Sequence, residues 1–183
     1  MREDIAKVKD KYLKDIWIYI RDNMEEVPKE IFLIHIREKI LESLEETYSI
    51  TSAAARKLYG IKAERLKDGE IEELMYSKDG KELDERLEEH YDIAIKRDNP
   101  SEYFRNRIVL IVDTETLTVS NAVLHSKLNK KARFAEVVGG ANCWEENGGL
   151  CEYWISRGKM PIEELEIPPY HPDCECGVIY YFE

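Results

Sequence analysis

The sequence predicts an α+β protein, with a helical N-terminal half followed by a small antiparallel β region with Cys/His-bearing loops. Three observations predict it. Apolar residues recur at helical spacing through residues 1–98. The alternation of a half-buried strand appears in "RFAEVV" and "GVIYYFE", both beyond Ala132. Just before the second of these, "PPYHPDCECG" gathers two of the four cysteines and one of the four histidines within six residues.

The helical elements follow in order. Ile5, Val8, Tyr12, Ile16, Tyr19 and Ile20 form one stripe of a first helix, which ends at "EEVPKEIF". Pro28 suits the first position of a second helix, where its missing N–H is not needed. Ile31, Ile34, Ile36, Ile40, Leu41 and Leu44 continue the stripe. "SITSAAARKLYG" offers Ser49, Thr51 or Ser52 as an N-cap and Gly60 as a stop. After a turn at "SKDG", a helix runs from about Lys81 to Arg97 with Leu83, Leu87, Tyr91 and Ile95 on one face. Asn99-Pro100 closes it, because the residue before proline is pushed out of helical conformation. Asp98-Asn99-Pro100 is also the boundary candidate, dividing residues 1–98, a helical region, from an α+β core over 99–183.

"YFRNRIVLIVDTETLTVSNAVLHSKLNKKA" presents a conflict. Its Val, Ile and Thr favour a strand by local propensity. Phe104, Ile108, Ile111, Glu115, Val119, Ala122 and His125 nonetheless fall three and four apart, which fits one long helix, and helix is the reading taken. Glu115 interrupts the apolar stripe, so a buried carboxylate there needs a partner, and a structural ion pair is expected. Beyond Ala132, Gly139-Gly140 and "ENGGL" read as turns, and "SRGKMPIEELEIPPYHPDC" as loop with at most one helical turn. "GVIYYFE" should be the terminal strand, paired with "RFAEVV".

A chain of 183 residues is long enough to bury a core without covalent staples. Hydrophobic residues at 43% with charged residues at 36% mark a folded globular protein. The formal charge of −11 repels phosphates and argues against direct nucleic-acid binding. From Glu136 onward there are ten acidic residues and two basic ones. That end suits a cation or a basic partner, or it is simply a solvated acidic face. The N-terminus is charged from its second residue, unlike a signal peptide, and no apolar run approaches the ~18 residues of a membrane span. The expectation is a cytoplasmic protein that meets no membrane. In a reducing cytoplasm, cysteines read as metal ligands or thiols before disulfides. Abundant Lys, Glu and Ile with scarce Gln agree with a thermophilic source.

The candidate site residues are Cys143, Cys151, His171, Cys174 and Cys176, any four of which would complete a structural zinc site. One segment supplies Cys143 and Cys151, and a second supplies the others. Cys174 and Cys176, two apart in an extended chain, point to one side. Pro168, Pro169 and Pro172 stiffen the loop. The eight-residue spacing of Cys143 and Cys151 is not that of a standard zinc knuckle, so a disulfide or thiol arrangement stays open. A nucleophilic cysteine is disfavoured by the acidic surroundings, which raise a thiol pKa. His35 and His90 sit inside helical patterns as ordinary helix residues. There is no Gly-rich phosphate loop, no HExxH and no GxSxG.

"GLCEYWISRGKMPIEEL…IPPYHPDCECGVIYY" resembles the C-terminal signature of the phage Mu F-like minor head proteins, in which a proline-rich HPxCxC run leads into a final strand. "IVDTETLTVSNAVLHSK" is similar to that family's preceding helix. The resemblance covers roughly residues 105–181. Trp154 stands where the family's loop has a second cysteine, and Asp113 and Glu175 stand where it commonly has basic residues. The resemblance implies a minor capsid protein, phage or prophage in origin, acting at the portal vertex in head assembly or in DNA packaging and delivery. Its implied partners are the portal or major capsid protein, and its location is the host cytoplasm during assembly and then the virion head. It implies no catalysis. A metal- or cysteine-dependent hydrolase or transferase, built on His171, Cys174, Cys176 and Glu115, is the alternative.

Overall fold

The computed structural model describes residues 1–60, 70–75, 81–139, 149–171 and 174–182. Helices α1 (Arg2–Asn23), α2 (Lys29–Tyr59), α3 (Glu70–Glu73), α4 (Leu83–Ala94) and α5 (Pro100–Leu128) precede strand β1 (Phe134–Val138). Helix α6 (Leu150–Ser156), strand β2 (Met160–Pro161), a 3-10 turn (Ile162–Glu164) and strand β3 (Gly177–Tyr181) follow. The α+β arrangement predicted from the sequence is the one found.

Helix α1 buries Val8, Tyr12, Ile16 and Ile20, a strict four-residue repeat that keeps one face toward the core. Pro28, with φ −51° and ψ 136°, is the N-cap of α2 and Lys29 its first helical residue, one position later than predicted. Helix α2 buries Phe32, Leu33, Ile36, Ile40 and Leu44. Ile31 and Ile34, expected in this stripe, are 59% and 56% exposed, because they lie off the face that Phe32 and Ile36 define.

The helix start expected at Ser49, Thr51 or Ser52 does not occur. Helix α2 runs unbroken to Gly60, which caps it at φ 66° as predicted. Ser49 returns its hydroxyl to the Glu45 carbonyl at 3.0 Å, which satisfies it without ending the helix. Thr51 and Ser52 are buried, and Thr51 Oγ1 reaches Ser120 Oγ of α5 at 3.5 Å. Their small size lets two backbones approach, so packing outweighs the local preference for a cap.

Helix α4 is shorter than the predicted span, and Ile95 sits past its end, 53% exposed. The Glu82 N–H donates to Glu85 Oε2 at 3.2 Å, half of a capping box. Helix α5 resolves the conflict between propensity and periodicity in favour of helix. Asn99 caps it by accepting from the Glu102 N–H, and Pro100 takes its first position. β-branched residues cost a helix only tenths of a kcal/mol each, roughly, whereas burying one Ile or Val returns about 1.5–3 kcal/mol.

The helical core joins α1, α2, α4 and α5, including Phe104, Ile108, Val112, Val119 and Val123. Phe32, Tyr91 and Phe104 meet at its centre with ring separations of 5.6–5.9 Å. Glu115, fully buried, pairs with Arg86 Nη1 of α4 at 2.5 Å, the ion pair its position required. Helix α5 also contains a stretch long and apolar enough by composition to cross a membrane, which the reading of short apolar runs overlooked.

The sheet is antiparallel in the order β2-β1-β3, with Ala135 opposite both Met160 and Tyr180. The terminal strand pairs with β1 as its alternation predicted. Helix α6 was not anticipated, since "LCEYWIS" is too short to show a period. The turns at Gly139-Gly140, "SKDG" and "ENGGL" fall largely outside the described residues.

Candidate metal centre

Three structural pieces converge below the sheet. Helix α6 presents Cys151 and Trp154, the loop before β3 presents Tyr170, His171, Cys174 and Cys176, and β1 presents Val137. All are buried, with Cys176 at 0% and Cys151 and His171 at 3% exposure. Trp154 and Tyr170 stack with their planes 13° apart, closing one side. The Tyr170 hydroxyl donates to the Glu166 carbonyl at 2.7 Å, and burial drives its pKa upward.

The ligand atoms of Cys151, His171 and Cys174 lie within 4.8 Å of one another. Cys151 Sγ is 3.8 Å from Cys174 Sγ and 3.0 Å from His171 Nε2. A tetrahedral zinc with Zn–S arms of about 2.3 Å needs a sulfur–sulfur edge of about 3.8 Å. The Cys151–Cys174 edge already has that length, and the His171 edge needs a small opening. Cys176 hydrogen-bonds the Cys174 thiol. That bond is the largest cause lowering the Cys174 pKa to about 5, ahead of backbone groups of Tyr170 and Cys176 and against the effect of burial. Thiolate is the form a metal binds. These residues can therefore hold a metal ion, with Cys176 placed beside the trio.

Of the five predicted site residues, the structure brings together Cys151, His171 and Cys174 and sets Cys176 next to them. Cys143 lies outside the described residues. None of the other three cysteines is in a disulfide. Glu115, offered in the enzyme reading, belongs to the helical core against Arg86. His35 stacks on Tyr19 at 3.8 Å as an ordinary helix residue.

Sequence reasoning missed the support. Asn121 of α5 donates Nδ2 to the Pro168 carbonyl at 3.1 Å and the Cys176 carbonyl at 3.4 Å, clasping both ends of the loop. The Pro168–Pro169 bond within that loop is cis. Asn121 is one of many polar residues in α5, so the sequence did not mark it. Trp154 was noted only for the cysteine it replaces.

A cleft of about 960 Å³ opens between α1, α5 and this loop, and His171, Cys174 and Cys176 line it. Cys151 does not, so it stands behind the other three. No family model, curated protein or solved structure matches the chain.

Proposed function

We propose that Cys151, His171, Cys174 and Cys176 bind a structural zinc, and that the chain is a minor head protein of a phage or prophage. The metal clamps the last strand and its loop onto α6. The observation that carries the zinc reading is the buried convergence of thiols and imidazole from two segments within 4.8 Å of one another, with the two sulfurs 3.8 Å apart. The assembly reading is supported by the HPxCxC run leading into an edge strand, packed on the helix that carries the "TVSN" stretch. The protein binds the portal or capsid protein at the head vertex and turns nothing over. Co-purification with the portal protein of the same phage or prophage, at several salt concentrations, tests this. Recovery of the pair supports it, and no association at any salt contradicts it.

The 3.0 Å contact of Cys151 and His171 favours one second reading, a thiolate–imidazolium pair serving a hydrolase or transferase. Cys151 is 3% exposed and set back from the cleft, which gives a substrate no approach to its sulfur. Rapid alkylation of Cys151 in the folded protein, with loss of an activity in Cys151→Ser at unchanged stability, would favour the enzyme.

A further inference from the structure

Helix α5 contains an 18-residue stretch of high mean hydropathy, and only 56% of that stretch is buried. A helix of this composition normally has neighbours on every side. Helices α1, α2 and α4 cover three sides. The remaining side is the floor of the cleft, where Leu110, Leu117 and Leu124 stand half-buried at intervals of seven with Asp113, Thr116, Ser120 and Asn121 between them, Leu117 also packing on the cluster of Cys151 and Trp154. The three leucines share one face over about 21 Å of axis. A leucine at every seventh position supplies one of the two rows on which a second helix can rest, the other row here being the polar Asp113 and Ser120. Ile5 and Ala6 of α1 form one wall, and the loop of the metal centre with the start of β3 forms the other.

The charge on this groove differs from that of the molecule. The chain carries −11, yet Arg2, Lys9 and Arg107 line the groove, against Asp113 and Glu175. Lys9 and Asp113 pair at 2.7 Å. Arg2 and Arg107 have no carboxylate partner among the described residues. Arg107 lies against the Tyr103 ring, and an Arg2 nitrogen sits 3.8 Å from where a Gly177 Cβ would stand. Lys9 meets Asp113 while Arg105 covers Trp17, so α1 and α5 run antiparallel. Arg2 and Arg107 therefore mark opposite ends of the groove.

We infer that this groove docks an acidic amphipathic helix of a partner protein. Its apolar stripe lies on Leu110, Leu117 and Leu124, and its flanking carboxylates meet Arg107 at one end and Arg2 at the other. A second copy of this chain fits poorly, because a two-fold pairing of α5 on α5 sets like-charged groove edges against each other. The inference does not depend on the head-protein reading.

The test uses the full chain as purified and two fluorescent 21-residue peptides. Each has three heptads with leucine at the first and fourth positions, one with glutamate flanks and one with lysine flanks. Fluorescence anisotropy should show the glutamate peptide binding at least ~10-fold more tightly, with the difference shrinking as salt rises. Arg107→Glu and, separately, Arg2→Glu should each weaken the glutamate peptide several-fold and strengthen the lysine peptide. Arg2 is exposed, whereas Arg107 is half-buried against Tyr103, so the melting temperature of each variant is measured alongside and must match that of the parent chain. Absence of binding, equal binding of the two peptides, or indifference to both substitutions would overturn the inference. A dimer by light scattering that excludes the glutamate peptide would assign the face to a second copy and would also overturn it.

Discussion

Cys151 Sγ lies 3.8 Å from Cys174 Sγ, although 23 residues separate them in the chain. One thiol rides on a seven-residue helix and the other on a loop leading to the last strand. Their meeting ties α6 to β3 across β1. If a metal joins them, its binding energy is part of the folding energy of the C-terminal region. Chelation, or Cys174→Ser, should lower the melting temperature by more than about 10 °C, since 1 kcal/mol is worth roughly 2–4 °C at this size. Calorimetry with and without chelator reads this directly. An unchanged transition would mean that packing alone holds the loop.

Asn121 is predicted to be a positioning residue for that centre. Its amide bridges the carbonyls of Pro168 and Cys176, on either side of His171 and Cys174. Asn121→Ala leaves two buried carbonyls without this donor, at a cost of about 1–3 kcal/mol. Because the loop's orientation is lost as well, metal affinity should fall about 10-fold or more. Competition with a chromophoric chelator measures the affinity separately from stability. A loss of stability with unchanged affinity would make Asn121 a packing residue only.

Much of this was legible beforehand, and the rest was not for identifiable reasons. The stripes Val8–Ile20 and Leu83–Tyr91 and the alternation of β1 and β3 are strong periodic signals with single readings. Ser49, Thr51 and Ser52 misled because the same hydroxyls that cap helices also line close helix contacts. Helix α6 is too short to carry a period. Among the site residues, Cys151, His171, Cys174 and Cys176 were visible as ligand types. Asn121, Trp154 and Tyr170 were not, because their roles come from contacts across long separations in the chain.

The ion pair between Arg86 and Glu115 should be asymmetric under mutation. Glu115 is fully buried and Arg86 is 18% exposed. Arg86→Met removes this cation from a buried carboxylate and should cost about 3 kcal/mol. Replacing both, as Arg86→Met with Glu115→Leu, should recover most of that loss. Denaturant unfolding of the two variants checks it, and equal losses in both would contradict it.

The seam between α2 and α5 holds hydroxyls without a hydrogen-bond partner among the described residues, among them Ser43, Thr47 and Thr114. Thr47 is fully buried. Thr47→Val keeps its shape and removes the unsatisfied group, so stability should hold or rise by about 1 kcal/mol. A loss of more than about 2 kcal/mol would show that the hydroxyl has a partner such as water.

Two histidines should make the fold sensitive to acid. Burial lowers the pKa of His90, with Arg107 adding to it, and burial alone lowers that of His125. The unfolded chain then takes up protons at higher pH than the folded one, so stability falls as pH drops through about 6.5 and below. His90→Gln should flatten the slope of melting temperature against pH between 7 and 5. An unaltered slope would assign the effect to other groups.

The central claim, a zinc-clamped C-terminal region, is tested most directly by zinc content and thiol titration on protein purified without added metal or reductant. One zinc per chain is expected, with thiols that react only after denaturation and chelation. A metal-free protein whose thiols all titrate in the folded state, or whose cysteines are paired as disulfides, would contradict it.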